Sequence, residues 1–128
     1  MTESKVKVLI VEDDLSSQIY YTHLLEDQYD LHLVTNVADA KTALKQHEYS
    51  VAIVDISLPG DESGIDLIKF IQDKYPKNPD CIALTAHAFP HIKVEALEAG
   101  ADEFFTKPIM SETLIESIEK HLTQMVQG

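Results

Sequence analysis

The chain has few of the features that mark secreted or membrane proteins. Its 128 residues include one cysteine, Cys81, which cannot form a disulfide within the chain and so indicates a reducing compartment. No apolar run approaches the roughly 20 residues of a membrane-spanning helix. Lys5 and Lys7 interrupt the first hydrophobic run, so the N-terminus lacks a signal-peptide core. These absences predict a cytoplasmic protein without a membrane partner.

Positive charge is also scarce. Ten basic residues stand against 22 acidic ones, which gives a net charge of −12, and the lysines are scattered rather than clustered. Nonspecific nucleic-acid binding needs a basic surface, so we expect no nucleic-acid partner. Apolar residues, by contrast, make up 45% of the chain, which suffices for the core of a single domain over residues 1–128. Cys81 is interpreted as a small buried hydrophobe of that core.

Apolar strands alternate with amphipathic helices along the chain. The patterns predict five strands, at residues 5–11, 31–34, 50–54, 81–84 and 103–105. They predict five helices, at residues 15–26, 38–47, 65–74, 90–99 and 112–124. Five strand–helix repeats indicate an α/β fold, a parallel sheet with helices on both faces. The second strand alternates polar and apolar residues around His32, so we place it at an edge.

Apolar spacing also predicts which helix faces pack on the sheet. On the first helix, Leu15, Ile19 and either His23 or Leu24 share one face. On the later helices, the predicted inward residues are Ala40, Ala43, Leu44, Leu67, Ile68, Ile71, Leu114, Ile118, Leu122 and Met125. Gly100 is predicted to end the fourth helix in a left-handed conformation, and Ser111 to cap the fifth.

The strands end on residues that carry chemistry. Glu12, Asp13 and Asp14 follow the first strand, and Asp55 follows the third. Ligands of doubly wound sheets bind beyond the carboxyl ends of the strands, so these acids should meet there. Carboxylates at such short range repel one another unless a cation neutralises them, and Mg²⁺ prefers oxygen ligands. Asp14 is interpreted as a helix cap rather than a metal ligand.

The remaining strands add a hydroxyl and an amine. The fourth strand ends on Thr85-Ala86, and the fifth on Thr106-Lys107-Pro108. Phosphoryl transfer needs acids that hold a metal and a carboxylate that acts as nucleophile. It also needs groups that bind the phosphoryl oxygens, which a hydroxyl and an ammonium can do. The sequence therefore predicts a phosphoryl-transfer site at the carboxyl edge of the sheet.

These motifs resemble those of a known family. The chain resembles the receiver domains of two-component response regulators in four motifs, each at the end of a strand. In chain order, these motifs are Glu12-Asp13, Asp55, Thr85-Ala86 and Lys107-Pro108. The chain looks most like the single-domain, chemotaxis-regulator-like members, and the resemblance covers essentially its whole length. It implies a flavodoxin-like, doubly wound five-stranded sheet in the order 2-1-3-4-5.

The resemblance implies roles for the matching residues. Asp55 resembles the phosphoacceptor, which takes a phosphoryl group from a histidine kinase or a histidine phosphotransfer protein. Mg²⁺, or Mn²⁺, is the implied cofactor, held by Glu12, Asp13, Asp55 and the backbone carbonyl of Ser57. Lys107 resembles the lysine that pairs with the acceptor carboxylate and later with the phosphoryl group.

A switch is implied as well. Thr85 resembles the switch hydroxyl, Phe104 the switch aromatic, and Pro108 a proline that follows a cis peptide bond. Phosphorylation would draw in Thr85, let Phe104 move, and change the surface of the fourth helix, fifth strand and fifth helix, where a downstream protein target binds. The implied role is a phosphorelay signalling switch that catalyses its own phosphorylation and slow dephosphorylation, rather than an enzyme.

Three features differ from the family pattern or add to it. The loop from Pro59 to Gly64 is one residue longer than usual and more acidic. Phe104 stands where tyrosine is frequent, so no hydroxyl is present there. His87 and His91 lie at helical spacing, but no further ligand completes a metal set, and we interpret them as surface residues. The resemblance places His87 beside the phosphoryl group.

Three other functions compete with this interpretation. A flavodoxin-like electron carrier needs a phosphate-binding loop after the first strand, where this chain has acids that would repel FMN phosphate. A phosphatase with an aspartyl nucleophile usually has a second acid two residues later, where this chain has Ser57. A receiver-like scaffold that is not phosphorylated is the main alternative, and it is disfavoured by the intact set of Glu12, Asp13, Asp55, Thr85 and Lys107.

Overall fold

The chain forms the five strand–helix units that its pattern predicts. A computed structural model describes residues 5–87 and 89–127, the last five by their backbone only. The strands are β1 (Val6–Val11), β2 (Tyr29–Val34), β3 (Val51–Asp55), β4 (Asp80–Thr85) and β5 (Glu103–Thr106). The helices are α1 (Leu15–Leu25), α2 (Val37–Gln46), α3 (Gly64–Lys74), α4 (Pro90–Ala99) and α5 (Ser111–Gln127).

All five strands form one parallel sheet in the order β2-β1-β3-β4-β5, which confirms the predicted flavodoxin-like topology and the edge position of β2. The strand order reverses between β1 and β3, and this is where ligands of doubly wound sheets bind. Val11 pairs with Val54 in this register. The residues that follow these two strands therefore come out side by side.

Helices cover both faces of the sheet. Leu9 and Val11 of β1 pack in a cluster beneath α2, α3 and α4, whereas Val8 and Ile10 pack in a second cluster beneath α1 and α5. Because both faces are buried, every one of these four positions is apolar. Cys81 is buried in the first cluster, as expected. Among the described residues, none of the helices combines the length and the apolar character needed to cross a membrane.

The predicted inward faces of α2, α3 and α5 are confirmed, but on α1 only Leu24, which is partly buried against the second cluster, lies inward as predicted. Leu15 and Ile19 are 67% and 60% exposed, and the buried residues of α1 are Tyr21 and Leu25. Apolar residues lie on two sides of this helix, so spacing alone allows either side to face the sheet. The side that carries the ring of Tyr21 is the one that is buried. Met125 lies outside the residues whose side chains are described.

The helix ends follow the expected local chemistry, with one correction. The Asp14 side chain caps α1 by accepting the Ser17 N–H at 2.9 Å. Gly100 ends α4 with a φ of 121°, a conformation that favours glycine. Ser111 was predicted as the cap of α5 but is the first residue of the helix, which also continues past residue 124. Helix boundaries commonly shift by a residue or two, because terminal turns fray.

Candidate functional site

Three carboxylates meet at the carboxyl edge of the sheet. Glu12 and Asp13 follow β1 directly, and Asp55 is the last residue of β3. One carboxylate oxygen from each lies within 4.8 Å of the others. Glu12 and Asp55 are only 1% and 6% exposed, whereas Asp13 is exposed. The cluster is therefore closed on the protein side and open to solvent through Asp13.

Lys107 brings a positive charge into this cluster from the loop after β5. Its Nζ lies 2.5 Å from Glu12 Oε1 and 3.2 Å from Asp55 Oδ2. The lysine backbone is fixed as well, because its N–H donates to the Thr85 carbonyl at 2.8 Å. One ammonium thus bridges two buried carboxylates that come from different strands.

Burial and neighbouring charges at the site shift two pKa values. Burial raises the pKa of Glu12 to about 7; the Lys107 hydrogen bond opposes this rise, and the neighbouring Asp55 adds to it. Burial alone would lower the pKa of Lys107, but its contacts with Glu12 and Asp55 outweigh burial and raise it. One ammonium is therefore insufficient to keep Glu12 fully ionised at neutral pH. A set of three carboxylates fits a hard divalent cation, which would supply the missing positive charge.

Backbone and side-chain contacts hold Glu12 in place. Its N–H donates to the Val34 carbonyl at 3.0 Å, and its own carbonyl accepts Gln18 Nε2 at 2.8 Å. The Asp14 N–H donates to Glu12 Oε2 at 3.1 Å. Gln18 was missed by reasoning from the sequence, since a polar residue on the first helix carries no signal that it reaches back to the strand end.

The two oxygens of Asp55 have different partners. Oδ1 accepts the Ser57 N–H at 3.0 Å, whereas Oδ2 faces the Lys107 ammonium. The following residue is tied to the neighbouring strand, because the Ile56 N–H donates to the Leu84 carbonyl at 2.9 Å. The Asp55 carboxylate is thus oriented by its own loop and by β4.

Gly64 supports Asp55 from behind, and sequence reasoning treated it only as part of a turn. Its N–H donates to the Ile56 carbonyl at 2.9 Å, which brings the start of α3 against the end of β3. A Cβ at position 64 would collide with the Asp55 carbonyl oxygen and stand 2.7 Å from Ile56 Cα. Only glycine allows this close backbone approach.

The longer loop after β3 is anchored near its carboxyl end. Ser63 and Asp66 form a reciprocal capping box at the start of α3. Lys41 on α2 contacts both carboxylate oxygens of Glu62, at 3.2 and 3.1 Å, and lies 4.6 Å from the centre of the Phe70 ring. Glu62 therefore ties the acidic loop to a lysine on the neighbouring helix.

The predicted switch residues lie on adjacent strands beside the cluster. Thr85 is 1% exposed, and its hydroxyl accepts the His87 N–H at 3.0 Å. Phe104 pairs with Ala83 in the sheet and is half-buried against the core beneath α4. The Lys107-Pro108 peptide is cis, as the resemblance implied. His87 and His91 are both exposed. Among the described residues, no metal-binding cluster includes either histidine.

Comparison with known proteins identifies the family. Residues 8–119 match the family model of the response regulator receiver domain. The chain therefore belongs to the receiver domain family of two-component response regulators. It is 39% identical over 113 residues to the two-component response regulator PhoP of Pseudomonas aeruginosa. This alignment covers 85% of the present chain and 48% of PhoP. It is 34% identical over 108 residues to the response regulator protein PilR of the same organism. That alignment covers 83% of the present chain and 24% of PilR.

Solved structures agree with this membership. A CheY-like response regulator receiver domain protein from Methanospirillum hungatei JF-1 superposes with a TM-score of 0.88 at 28% identity, covering 98% of this chain and all of that one. The chain spans about a quarter to a half of the length of the PilR and PhoP relatives. The shared part is thus a receiver domain, a module of two-component signal transduction.

Proposed function

We propose that this domain is a phosphorylation switch in which Asp55 accepts a phosphoryl group from a phosphohistidine of a histidine kinase or histidine phosphotransfer protein. One observation carries the proposal. Three carboxylates lie within 4.8 Å of one another, and Lys107 Nζ lies 3.2 Å from Asp55 Oδ2. The proposal treats residues 1–128 as a single functional domain.

This geometry supports a simple course for the transfer. An Asp55 carboxylate oxygen attacks phosphorus, the new P–O bond forms, and the N–P bond of protonated phosphohistidine breaks. The electron pair of that bond stays on the ring nitrogen, so histidine leaves as neutral imidazole. Asp55 has one oxygen fixed by the Ser57 N–H and one beside the Lys107 ammonium, so the nucleophile is oriented before the donor arrives.

The chain offers a metal site for this step. We assign Glu12, Asp13, Asp55 and the backbone carbonyl of Ser57 as ligands of Mg²⁺ or Mn²⁺. When bound, the ion would neutralise the carboxylates and the phosphoryl oxygens. Support comes from the buried Glu12, whose pKa is raised to about 7 by burial and then by Asp55, despite the hydrogen bond from Lys107. An added cation would stabilise the ionised form of this buried carboxylate.

Signalling would follow from a change in hydrogen bonding. The Thr85 hydroxyl now binds the His87 backbone, and phosphoryl oxygens on Asp55 would compete for it. Movement of Thr85 would free space that Phe104 on the adjacent strand can enter. The surface of α4, β5 and α5 would then change. Exposed Phe89, Val94 and Leu97 on or next to α4 support this surface as the contact for a downstream protein target.

The same reading gives a cellular role. The domain would act as a phosphorelay switch in the cytoplasm, with no nucleic-acid or membrane partner of its own. It would catalyse its own phosphorylation and slow dephosphorylation without turning over a separate substrate. Membership of the receiver family supports this role.

Intact mass after incubation with acetyl phosphate and Mg²⁺ tests the proposal. We expect one added phosphoryl group on the wild type and none on Asp55→Asn. Asp61→Asn is the matched control, because Asp61 is an exposed acid of the next loop, and it should be labelled like the wild type. Equal labelling of Asp55→Asn would refute the assignment. No adduct, together with no binding of beryllium fluoride, would favour the unphosphorylated scaffold.

A further inference from the structure

A second group of titratable side chains lies at the opposite, amino-terminal edge of the sheet. His121 of α5 is 4% exposed, and both of its ring nitrogens contact carboxylates. Nδ1 lies 2.8 Å from Asp80 Oδ2, and Nε2 lies 2.9 Å from Glu103 Oε2. Asp80 is the first residue of β4 and Glu103 the first of β5. One imidazole therefore connects α5 to two strands.

The two contacts require two shared hydrogens. A carboxylate oxygen and a ring nitrogen at 2.8–2.9 Å are in hydrogen-bond range, and one of the two atoms must carry a proton. An imidazolium between two carboxylates satisfies this, and so does a neutral imidazole between one carboxylate and one carboxylic acid. Both arrangements hold the same number of protons. Loss of one proton from the trio of His121, Asp80 and Glu103 leaves one contact without a hydrogen.

The neighbours of the trio favour the charged arrangement. Burial alone would raise the pKa of Glu103, but hydrogen bonds from Ser117 and His121 outweigh it and lower that pKa. Ser117 Oγ donates to the same oxygen of Glu103 that His121 contacts. Lys120 Nζ lies 3.5 Å from the other oxygen. Glu103 is therefore an ionised acceptor, which leaves the hydrogen of that contact on the imidazole.

The remaining elements around the trio add little positive charge. Asp102, between α4 and β5, is a further acid, and it accepts the Cys81 N–H at 2.8 Å. β3, on which α5 also packs, presents apolar residues from Val51 to Val54. In the described part of the chain, the charged groups that face the imidazole are thus three acids and Lys120. A proton on His121 is the main source of positive charge between them.

We propose that His121, Asp80 and Glu103 form a proton-dependent latch that holds α5 on the amino-terminal ends of β4 and β5, and that loosens α5 when the trio loses a proton. Its reversible step is the loss of one proton to solvent, which requires no other reactant. The latch itself does not depend on phosphorylation. Its consequence, a pH-sensitive α4–β5–α5 surface, rests on the proposed function.

Nuclear magnetic resonance of the unphosphorylated wild type tests the latch directly. With ¹⁵N-labelled histidine observed from about pH 6 to about pH 9, we expect the loss of a ring hydrogen from His121 to accompany the loosening of α5. Amide hydrogen exchange, corrected for intrinsic rates, should show protection across Leu114–Ile118 falling about tenfold or more over the same range. Protection in α2 should change far less.

Two variants make the test specific. His121→Gln keeps a donor and an acceptor but cannot bind a proton, so protection in α5 should become independent of pH. His23→Gln, at an exposed position on α1, should behave like the wild type. Wild-type α5 protection that does not change with pH, or that changes while the His121 ring keeps both hydrogens, would overturn the latch. These wild-type measurements decide the matter even if His121→Gln does not fold, and they are independent of whether Asp55 accepts phosphate.

Discussion

Lys107 and Glu12, 95 positions apart in the chain, form the shortest ion pair among the described residues, with Nζ 2.5 Å from Oε1. The same ammonium stands farther from Asp55, at 3.2 Å. The lysine therefore compensates the most deeply buried acid first, and the Asp55 carboxylate shares the remaining charge. We therefore expect the metal-free site to respond to pH and to added cations.

Glu12 should make the metal-free protein less stable as pH rises. Burial, together with the nearby Asp55, raises its pKa from 4.5 to about 7 even though Lys107 opposes the rise. Between these values the folded state binds more protons than the unfolded state, so the free energy of unfolding falls with rising pH. The full effect is at most about 3 kcal/mol. Urea unfolding in the presence of a chelator, at a series of pH values, measures it.

The matched variant for this measurement is Glu12→Gln, which cannot ionise. Titrating groups that do not interact with Glu12, such as Asp102, contribute equally to both proteins and cancel in the difference. We expect the stability of the variant relative to the wild type to increase from about pH 4.5 to about pH 7. A constant difference across this range would show that Glu12 does not have the raised pKa.

Magnesium should stabilise the fold through the acid cluster. A ligand that binds only the folded state adds about 2.7 kcal/mol when its concentration is 100 times its Kd. Asp13 is exposed, so Asp13→Asn should leave the metal-free fold nearly unchanged while it removes most of this gain. Thermal unfolding over a magnesium titration measures the effect, with Asp61→Asn as the control. Equal stabilisation of Asp13→Asn and the wild type would place the ion elsewhere.

Gly64→Ala should disturb the acceptor through its backbone. The added Cβ would collide with the Asp55 carbonyl, and overpacking of this kind costs about 1–3 kcal/mol. Gly60→Ala is the useful comparison: its φ of 99° also disfavours alanine, but no atom lies within 4 Å of the new Cβ. Both variants should lose stability, whereas only Gly64→Ala should slow labelling by acetyl phosphate. Equal labelling rates would show that α3 does not position Asp55.

The orientation of α1 can be tested by two substitutions on opposite sides. Ile19 is 60% exposed and Leu25 only 1%. Ile19→Ser should change the free energy of unfolding by no more than about 0.5 kcal/mol. Leu25→Ala should cost about 2–5 kcal/mol, because it removes buried methyl groups and leaves a cavity. Chemical denaturation distinguishes the two, and a larger loss at Ile19 would restore the orientation predicted from spacing.

Most of the fold was predictable because the strands are buried on both faces and read as continuous apolar runs. Val8–Val11 and Val51–Val54 are of this kind, and each ends on acids. The meeting of Glu12, Asp13 and Asp55 was predictable for a related reason, since parallel strands bring their carboxyl ends to one edge. The orientation of helix α1 was not predictable, because its apolar residues lie on two sides and only packing decides which side is buried.

What the sequence determined by itself is therefore the order of strands and helices and the identity of the residues at the strand ends. What only the tertiary structure decided is which distant groups touch. Gly64 matters because a backbone passes against it, and His121 because β4 and β5 begin beside it. Neither contact leaves a local pattern, since the partners are separated by many residues or by a turn. Chain folding alone brings them within hydrogen-bond distance.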